Sequence, residues 1–411
     1  TFDGHYDDDY RPYIYVSEDY GQTWRSLSAG LPETSIHRIR EHPKNPRLLV
    51  LAHERGVHFS NDGGATWTSL ATNMPTVPAD DAIFQPRDNA LIVGTHGRGI
   101  WILDDVGPLE ALTPEAVRGN ALLLPIPRAR EWNIYSPQSW FGAGEFFAPN
   151  PEFNAVITYY LHDAATDQVQ IDIRDASGGT IRTLRGPSAR GLNRVIWDLH
   201  MGQAAGEGEM PPAGGRGGGA GGGGGGRGGA ATGPLVLPGK YHVALKVPSV
   251  TPELGGEVAV EGDPLASFSD ADRRARQAVL MSIYGMQKTL STALHAAQAL
   301  SGQLDSIRKD LTTAEADAAK RVDDLAARIA QLPLEISREI STGSGLLRPI
   351  ESYSSLPTAD QQRQVDWLFE DANKSVSDLN HMVQTEIPGL YTQIAKKEWP
   401  NRIQPVPPIR K

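Results

Sequence analysis

Eight side chains near the start of the chain have the types that could hydrolyse a carboxylated sugar. That chemistry needs three arginines on the substrate carboxylate, a tyrosine activated by a glutamate as nucleophile, and an acid/base carboxyl. Arg11, Arg38, Arg55 and Arg98 with Tyr10, Tyr13, Glu54 and Asp81 supply the types, but no spacing among them assembles such a site. Asp7-Asp8-Asp9 beside His5 could offer oxygens to a hard cation, yet lacks the alternating D-x-D-x-D-G order of a calcium loop and reads as a solvated acidic turn. His53 and His58 lie five apart on two presumed paired strands; the expectation is that they point to opposite faces and share no zinc. Thr95-His96-Gly97-Arg98-Gly99 presents a histidine and an arginine on a glycine-flanked turn, read as a tight strand connection, with His96 and Arg98 kept as candidate partner contacts. No catalytic residue, cofactor or metal site is expected.

The segments that hold these residues repeat. Ser17-Glu18-Asp19-Tyr20-Gly21-Gln22-Thr23-Trp24 recurs 43 residues later as Ser60-Asn61-Asp62-Gly63-Gly64-Ala65-Thr66-Trp67, so both fit S-x-D-x-G-x-T-W. Each follows a strand-like run, Tyr13–Val16 and Gly56–Phe59, and a third unit runs from Leu91 to Leu103 without the full motif. A period near 43 with four short strands per unit is that of a β-propeller blade. Physically the motif is a hairpin turn. The carboxylates of Asp19 and Asp62 accept hydrogen bonds inside their own turns, Gly21 and Gly64 take positive φ, and Trp24 and Trp67 pack between blades. Ser17, Thr23, Ser60 and Thr66 complete the two structural motifs. Residues 1–105 supply two to three blades where a closed ring needs at least four, so the remaining blades are expected before Thr1 or on another chain. The opening Thr1-Phe2-Asp3-Gly4-His5 reads as a mature exported chain or a fragment, and the repeat count favours the fragment.

Composition bounds the rest. The 411 residues suggest two to three domains, and 39 Lys+Arg against 49 Asp+Glu give a formal charge of −10, which disfavours nucleic acid as a partner. Zero cysteines exclude disulfides, thiolate metal sites and cysteine nucleophiles. No apolar run reaches the ~18 residues needed to span a bilayer.

Beyond the blades, residues 106–151 read as a connector. Alternating strand patterns over Ala155–Leu161, Val169–Asp175, Thr180–Leu184, Leu192–Leu199 and Tyr241–Val247 then suggest an immunoglobulin- or fibronectin-like β-sandwich over 152–262. It is interrupted by an insert over 202–233, where Gly214–Gly229 holds 13 glycines in 16 residues. Such a run has maximal backbone entropy and nothing to bury, so ordering it calls for another surface. Gly214, Arg216, Gly221 and Arg227 are read there as candidate partner contacts. The two arginines are too few and too far from aromatics for an RNA-binding tail.

From Ser269 the period becomes helical. Val279, Ile283, Met286, Leu290, Ala293, Ala297, Leu300, Leu304 and Ile307 form one sustained seam. A second helix is expected to stop at Pro333 and a third to start near Thr358 and break or kink at Pro388, giving a three-helix bundle over 263–400 and a tail over 401–411.

Taken together, the chain resembles the C-terminal part of large bacterial BNR (Asp-box) repeat proteins, labelled sortilin/Vps10-like or "glycosyl hydrolase". The resemblance rests on His5 to Trp24, the second Asp-box and Gly94–Asp105. It implies export to the periplasm or beyond and a propeller used as an interaction surface. The fold class expected is mainly β with an α tail. The function expected is a non-catalytic interaction or scaffold protein, an accessory subunit of a larger extracytoplasmic assembly and peripheral to any membrane complex. The alternative is a sialidase-like glycosidase, or a carbohydrate- or peptide-binding module.

Overall fold

The structure is a computed structural model, and the residues described are 1–70, 73–132, 154–202, 233–248, 250–311, 316–394 and 402–410. The protein is mainly β with a helical C-terminal part, divided into two compact units: Thr1–Asp198 with Pro238–Glu261, and Gly262–Lys411 with the segments that begin at Leu199 and end at Leu237. Gly214, Arg216, Gly221 and Arg227 lie outside the described residues.

The first unit opens with three stacked layers; the first layer, or first sheet, is made of two two-stranded sheets. Strands β1 (Phe2–Gly4) and β2 (Asp9–Tyr13) pair, and β3 (Tyr15–Val16) pairs with β4 (Arg25–Ser26). Strands β5 (Ile36–His42), β6 (Asn45–His53), β7 (Gly56–Ser60) and β8 (Thr68–Ser69) form one four-stranded antiparallel sheet in chain order. Strands β9 (Ala79–Gln85), β10 (Ala90–Thr95) and β11 (Ile100–Leu103) form the next. Strand alternation gives the middle sheet two apolar faces. Leu49, Leu51 and Ile36 meet Ile14 and Leu27 on one side, while Leu48, Val50, Ala52 and Val57 meet Ala82, Leu91 and Val93 on the other. Helix α1 (Gly107–Ala111) stays with the sheets, because Val106 and Leu109 are buried in the second of those clusters.

Two further sheets follow. One runs β12 (Ala121–Leu123), β14 (Ala155–Leu161), β17 (Gly191–Trp197); the other runs β13 (Ala129–Arg130), β19 (Leu254–Glu261), β18 (Gly239–Lys246), β15 (Val169–Arg174), β16 (Thr180–Gly186). Trp197 of the smaller sheet packs edge-on against Tyr241 of the larger, ring centroids 5.5 Å apart.

The second unit holds α2 (Asp270–Asp310), α3 (Ala316–Ile329), α4 (Leu332–Glu351), α5 (Ala359–His381) and α6 (Ile387–Gln393). Ser269 caps α2 by accepting the Asp272 amide, and Thr358 with Gln361 forms a capping box at α5. The α2 seam is buried from Ile283 to Ile307 as its spacing demands, while Val279 at its start is only partly buried and Leu280 is buried beside it. Two expectations change. Pro333 does not end a helix but sits in the first turn of α4, where its missing N–H costs nothing, so four long helices replace three. Pro388 likewise opens α6, and a π-helical turn over Met382–Glu386 absorbs the extra residue, so the chain continues instead of breaking.

The ends of the glycine-rich insert are fixed on this unit. The Met201 amide donates to Pro234 O at 3.0 Å and the Gly233 amide to Met201 O at 2.8 Å. Glu351 accepts the Leu235 amide at 2.6 Å and contacts His200 at 3.1 Å, while Gln277 donates to Leu235 O at 2.8 Å. Gly202, with φ of 78°, and Gly233 approach Tyr284 closely: a Cβ on Gly202 would overlap the Tyr284 hydroxyl, and one on Gly233 would sit 3.0 Å from the ring and from Met201.

Candidate functional site

The two repeat motifs close tight turns between β3 and β4 and between β7 and β8. In the first, Asp19 accepts the Thr23 amide at 2.8 Å, the Thr23 hydroxyl at 2.7 Å and the Ser17 hydroxyl at 2.9 Å. The Thr23 amide and hydroxyl together bring the Asp19 carboxyl down to about 2. Asp62 repeats the pattern with Thr66 at 2.9 and 2.6 Å and Ser60 at 2.7 Å; its carboxyl lies below the usual range because those hydrogen bonds outweigh burial. Gly21 and Gly64 take φ of 89° and 86°, and their amides donate to Ser17 and Ser60. Both carboxylates are therefore committed to their own turns. The tryptophans differ. Trp67 packs in the apolar seam between the first two sheets and donates to Leu27 O at 2.8 Å. Trp24, in the equivalent place on the first sheet, is 64% exposed and donates to Gly21 O of its own turn.

A second cluster forms where β5 and β9 begin and the β6–β7 and β10–β11 hairpins turn. His37 lies 2.8 Å from Glu54 through Nε2 and 3.0 Å from Ala79 O through Nδ1. Asp80 stands 3.7 Å from exposed His96. Arg40 reaches both Asp81 oxygens at 3.1 Å and Ala82 O at 3.1 Å, with Arg38 at 3.7 Å from the same carboxylate. Of the candidate glycosidase residues, Asp81 is thus joined by Arg38, while Arg11 and Tyr13 are bound by Asp9 at 2.6 Å each. His37, Arg40 and Asp80 were passed over in the sequence. For His37 and Arg40 the signal was the repeat itself, since their contacts with Ala79, Asp81 and Ala82 join residues 41 or 42 apart on neighbouring sheets.

His53 and His58 were expected on opposite faces, and the structure overturns this. His53 pairs with Gly56 across a two-residue turn, a register that puts residues 51, 53, 56 and 58 on one face. The imidazoles are hydrogen-bonded, Nε2 of His53 to Nδ1 of His58 at 2.8 Å, which leaves no gap for a metal between those nitrogens. Burial, reinforced by His58, His37 and Arg55, brings the His53 imidazole down to about 4, and burial lowers His58 as well. Among the described residues no three His, Asp or Glu side chains gather as ligands of one metal.

At the turn over residues 95–99, Thr95 donates its amide and hydroxyl to Gly99 O at 3.2 and 2.7 Å, and Gly97 and Gly99 both take φ of 74°. His96 and Arg98 stand exposed on that turn.

The family model for sortilin (neurotensin receptor 3) and Vps10 matches residues 12–104, so this part of the chain is a sortilin/Vps10-like repeat region, and its sheets fit a partial propeller. No curated protein matches the chain. Among solved structures, the chain is similar to the extracellular domain of the putative hybrid two-component system BT4673 from B. thetaiotaomicron, at 11% identity and a TM-score of 0.18. It is similar also to Salmonella alpha-2-macroglobulin mutant Y1175G, at 13% identity and a TM-score of 0.18. The matches cover 60% and 59% of this chain but span only 27% and 12% of those proteins.

Proposed function

We propose that this chain is a non-catalytic, exported interaction protein, an accessory subunit docked on a larger extracytoplasmic or membrane-associated assembly. The observation that carries this reading is where the reactive side chains are spent. Asp19 and Asp62 close their own turns, Asp9 holds Arg11 and Tyr13, Asp81 holds Arg40, and Glu54 holds His37. Most glycosidases need two carboxyl groups facing one open substrate position, and the sialidase type needs a tyrosine nucleophile beside a glutamate. What the blades offer to solvent instead is apolar and aromatic: Tyr6, Tyr20, Trp24, Ile100 and Ile102 are among the exposed large side chains. Such surface favours a protein partner. The two sheets after the blades are read as an immunoglobulin-like sandwich. Among the described residues no helix is long and apolar enough to cross a membrane.

The test is native electrophoresis of the epitope-tagged protein from the extracytoplasmic fraction of its producing cell. The proposal expects migration with a stoichiometric protein partner. Migration as a free chain overturns it.

A further inference from the structure

The outer face of the five-stranded sheet carries an open groove of about 550 Å³, within the size range of small-molecule sites. Strand pairing builds it. Arg174 on β15 stands across from His242 on β18, and His242 across from Glu257 on β19; one row along, Asp172, Ala244 and Gly255 follow in the same order. Arg174 donates to both oxygens of Glu253, just before β19, at 2.8 and 3.2 Å. This bridge therefore crosses β18 at Ala244, which is 4% exposed. Gly255 beside it has no reason within the chain to be glycine. Its φ lies outside the left-handed region, and a Cβ there would meet nothing within 4 Å. Its neighbour Gly256 differs, because it faces inward and a Cβ there would fall 2.9 Å from Leu123. Glycine inside a strand weakens the strand. Where neither backbone nor packing requires it, it marks a place where something else comes close to the sheet.

We propose that this groove binds a neutral saccharide. The charges around it disfavour other occupants. Arg174 is paired with Glu253, Lys240 with Glu257 at 2.8 Å, and Lys246 with Asp172 at 2.6 Å, so cations and carboxylates balance. An anion would have to face Glu253 and Glu257, and a cation Arg174 and Lys240. An apolar ligand would strip water from these ion pairs and return no hydrogen bond. A sugar hydroxyl both donates and accepts, so it bridges a guanidinium N–H and a carboxylate oxygen without taking either from its charge partner. Exposed His242 adds a ring nitrogen that can do either. The C–H face of a sugar ring then lies on the flat floor at Ala244 and Gly255, from which a larger side chain at 255 would hold it off. Glu253 and Glu257 are each tied to a cation, so the groove holds its ligand and does not cleave it. The inference stands apart from the accessory-subunit reading, since it concerns another surface and another class of ligand.

The experiment is calorimetric titration of the purified 411-residue chain with four neutral hexasaccharides, of β-linked glucose, α-linked glucose, mannose and xylose, and with hexagalacturonate as the charged comparator. Saturable binding of at least one neutral chain is expected, with hexagalacturonate at least about tenfold weaker. Gly255→Val should weaken that binding at least about tenfold by blocking the floor, with circular dichroism unchanged because the new side chain points into open space. Arg174→Met with Glu253→Met removes the bridge, keeps the net charge and should weaken binding by a similar factor. Failure of all four neutral chains to bind, unchanged affinity in either folded variant, or tighter binding of hexagalacturonate overturns the inference. Only the purified chain and sugar are present, so each of those results leaves the accessory-subunit reading standing. Migration as a free chain in native electrophoresis would remove that reading and leave this one.

Discussion

Nε2 of His53 lies 2.8 Å from Nδ1 of His58, while the other His53 nitrogen accepts the Arg55 amide at 3.1 Å. The amide can only donate, so His53 must carry its proton on Nε2 and hand it to His58. Both rings are therefore neutral in this arrangement, and a second proton on His53 would break the bond to Arg55. Protonation is opposed further by burial and by the nearby His37 and Arg55.

The blades should consequently lose stability in mild acid. The folded His53 titrates at about 4 against an ordinary 6.5, so the unfolded state binds more protons between those values. Stability is full above pH 6.5 and falls as pH drops towards 4, by about 3 kcal/mol at most. Hydrogen exchange of the β6–β7 amides at pH 7.5 and pH 5 checks this. Wild type should lose protection at pH 5, and His53→Gln, whose amide can make both bonds, should lose much less. Equal losses would contradict the assignment.

Asp62→Ala should destabilise the second turn by about 1 kcal/mol, because the Thr66 amide and the Thr66 and Ser60 hydroxyls lose one shared acceptor. Thermal unfolding of the variant should show the loss, with partner recovery in native electrophoresis unchanged at temperatures where it stays folded. Direct contact of Asp62 with a bound ligand would count against a purely structural role.

The two motif tryptophans should respond unequally. Trp67→Ala removes packing in the seam between the first two sheets and the bond to Leu27 O, costing about 2–3 kcal/mol. Trp24→Ala removes a largely exposed ring and should cost well under about 1 kcal/mol. Urea midpoints of the two variants measure the difference, and equal costs would mean that Trp24 is also buried in solution.

How much of this was legible in the sequence depends on whether a feature is local. The repeat turns, the helix starts near Ser269 and Thr358 and the α2 seam were readable because spacing alone specifies them. The His53–His58 contact was not, since a two-residue turn sets the register and a one-residue difference would part the rings. Helix α4 was hidden by Pro333 and by Ser341-Thr342-Gly343-Ser344-Gly345, a weak helix-forming run. Tertiary packing decides there: a Cβ on Gly343 would sit 3.4 Å from Ile283 and 3.2 Å from Gln287 of α2, a closeness that a small residue permits. The Arg40–Asp81 pair needed the blades stacked before it could be seen.

Glu339 of α4 is buried with one oxygen accepting the Ser375 hydroxyl at 2.7 Å and the other without a hydrogen-bond partner. Burial raises its carboxyl above the ordinary value, more than the Ser375 bond lowers it. A raised carboxyl contributes stability that is present at low pH and lost as pH rises through the folded value. Glu339→Gln should therefore stabilise the helical unit at pH 7.5 by on the order of 1 kcal/mol and flatten its pH dependence. Urea unfolding followed by helical circular dichroism at pH 4 and 7.5 checks this, and a Gln variant that is weaker at pH 7.5 would contradict it.

The central claim is that the blades bind and do not catalyse. Its most direct test is turnover of a panel of fluorogenic glycosides, sialosides included, by the purified 411-residue chain beside Glu54→Gln and Asp81→Asn. The account predicts that all three proteins match the buffer blank. Turnover by the wild-type chain that either substitution abolishes would contradict it.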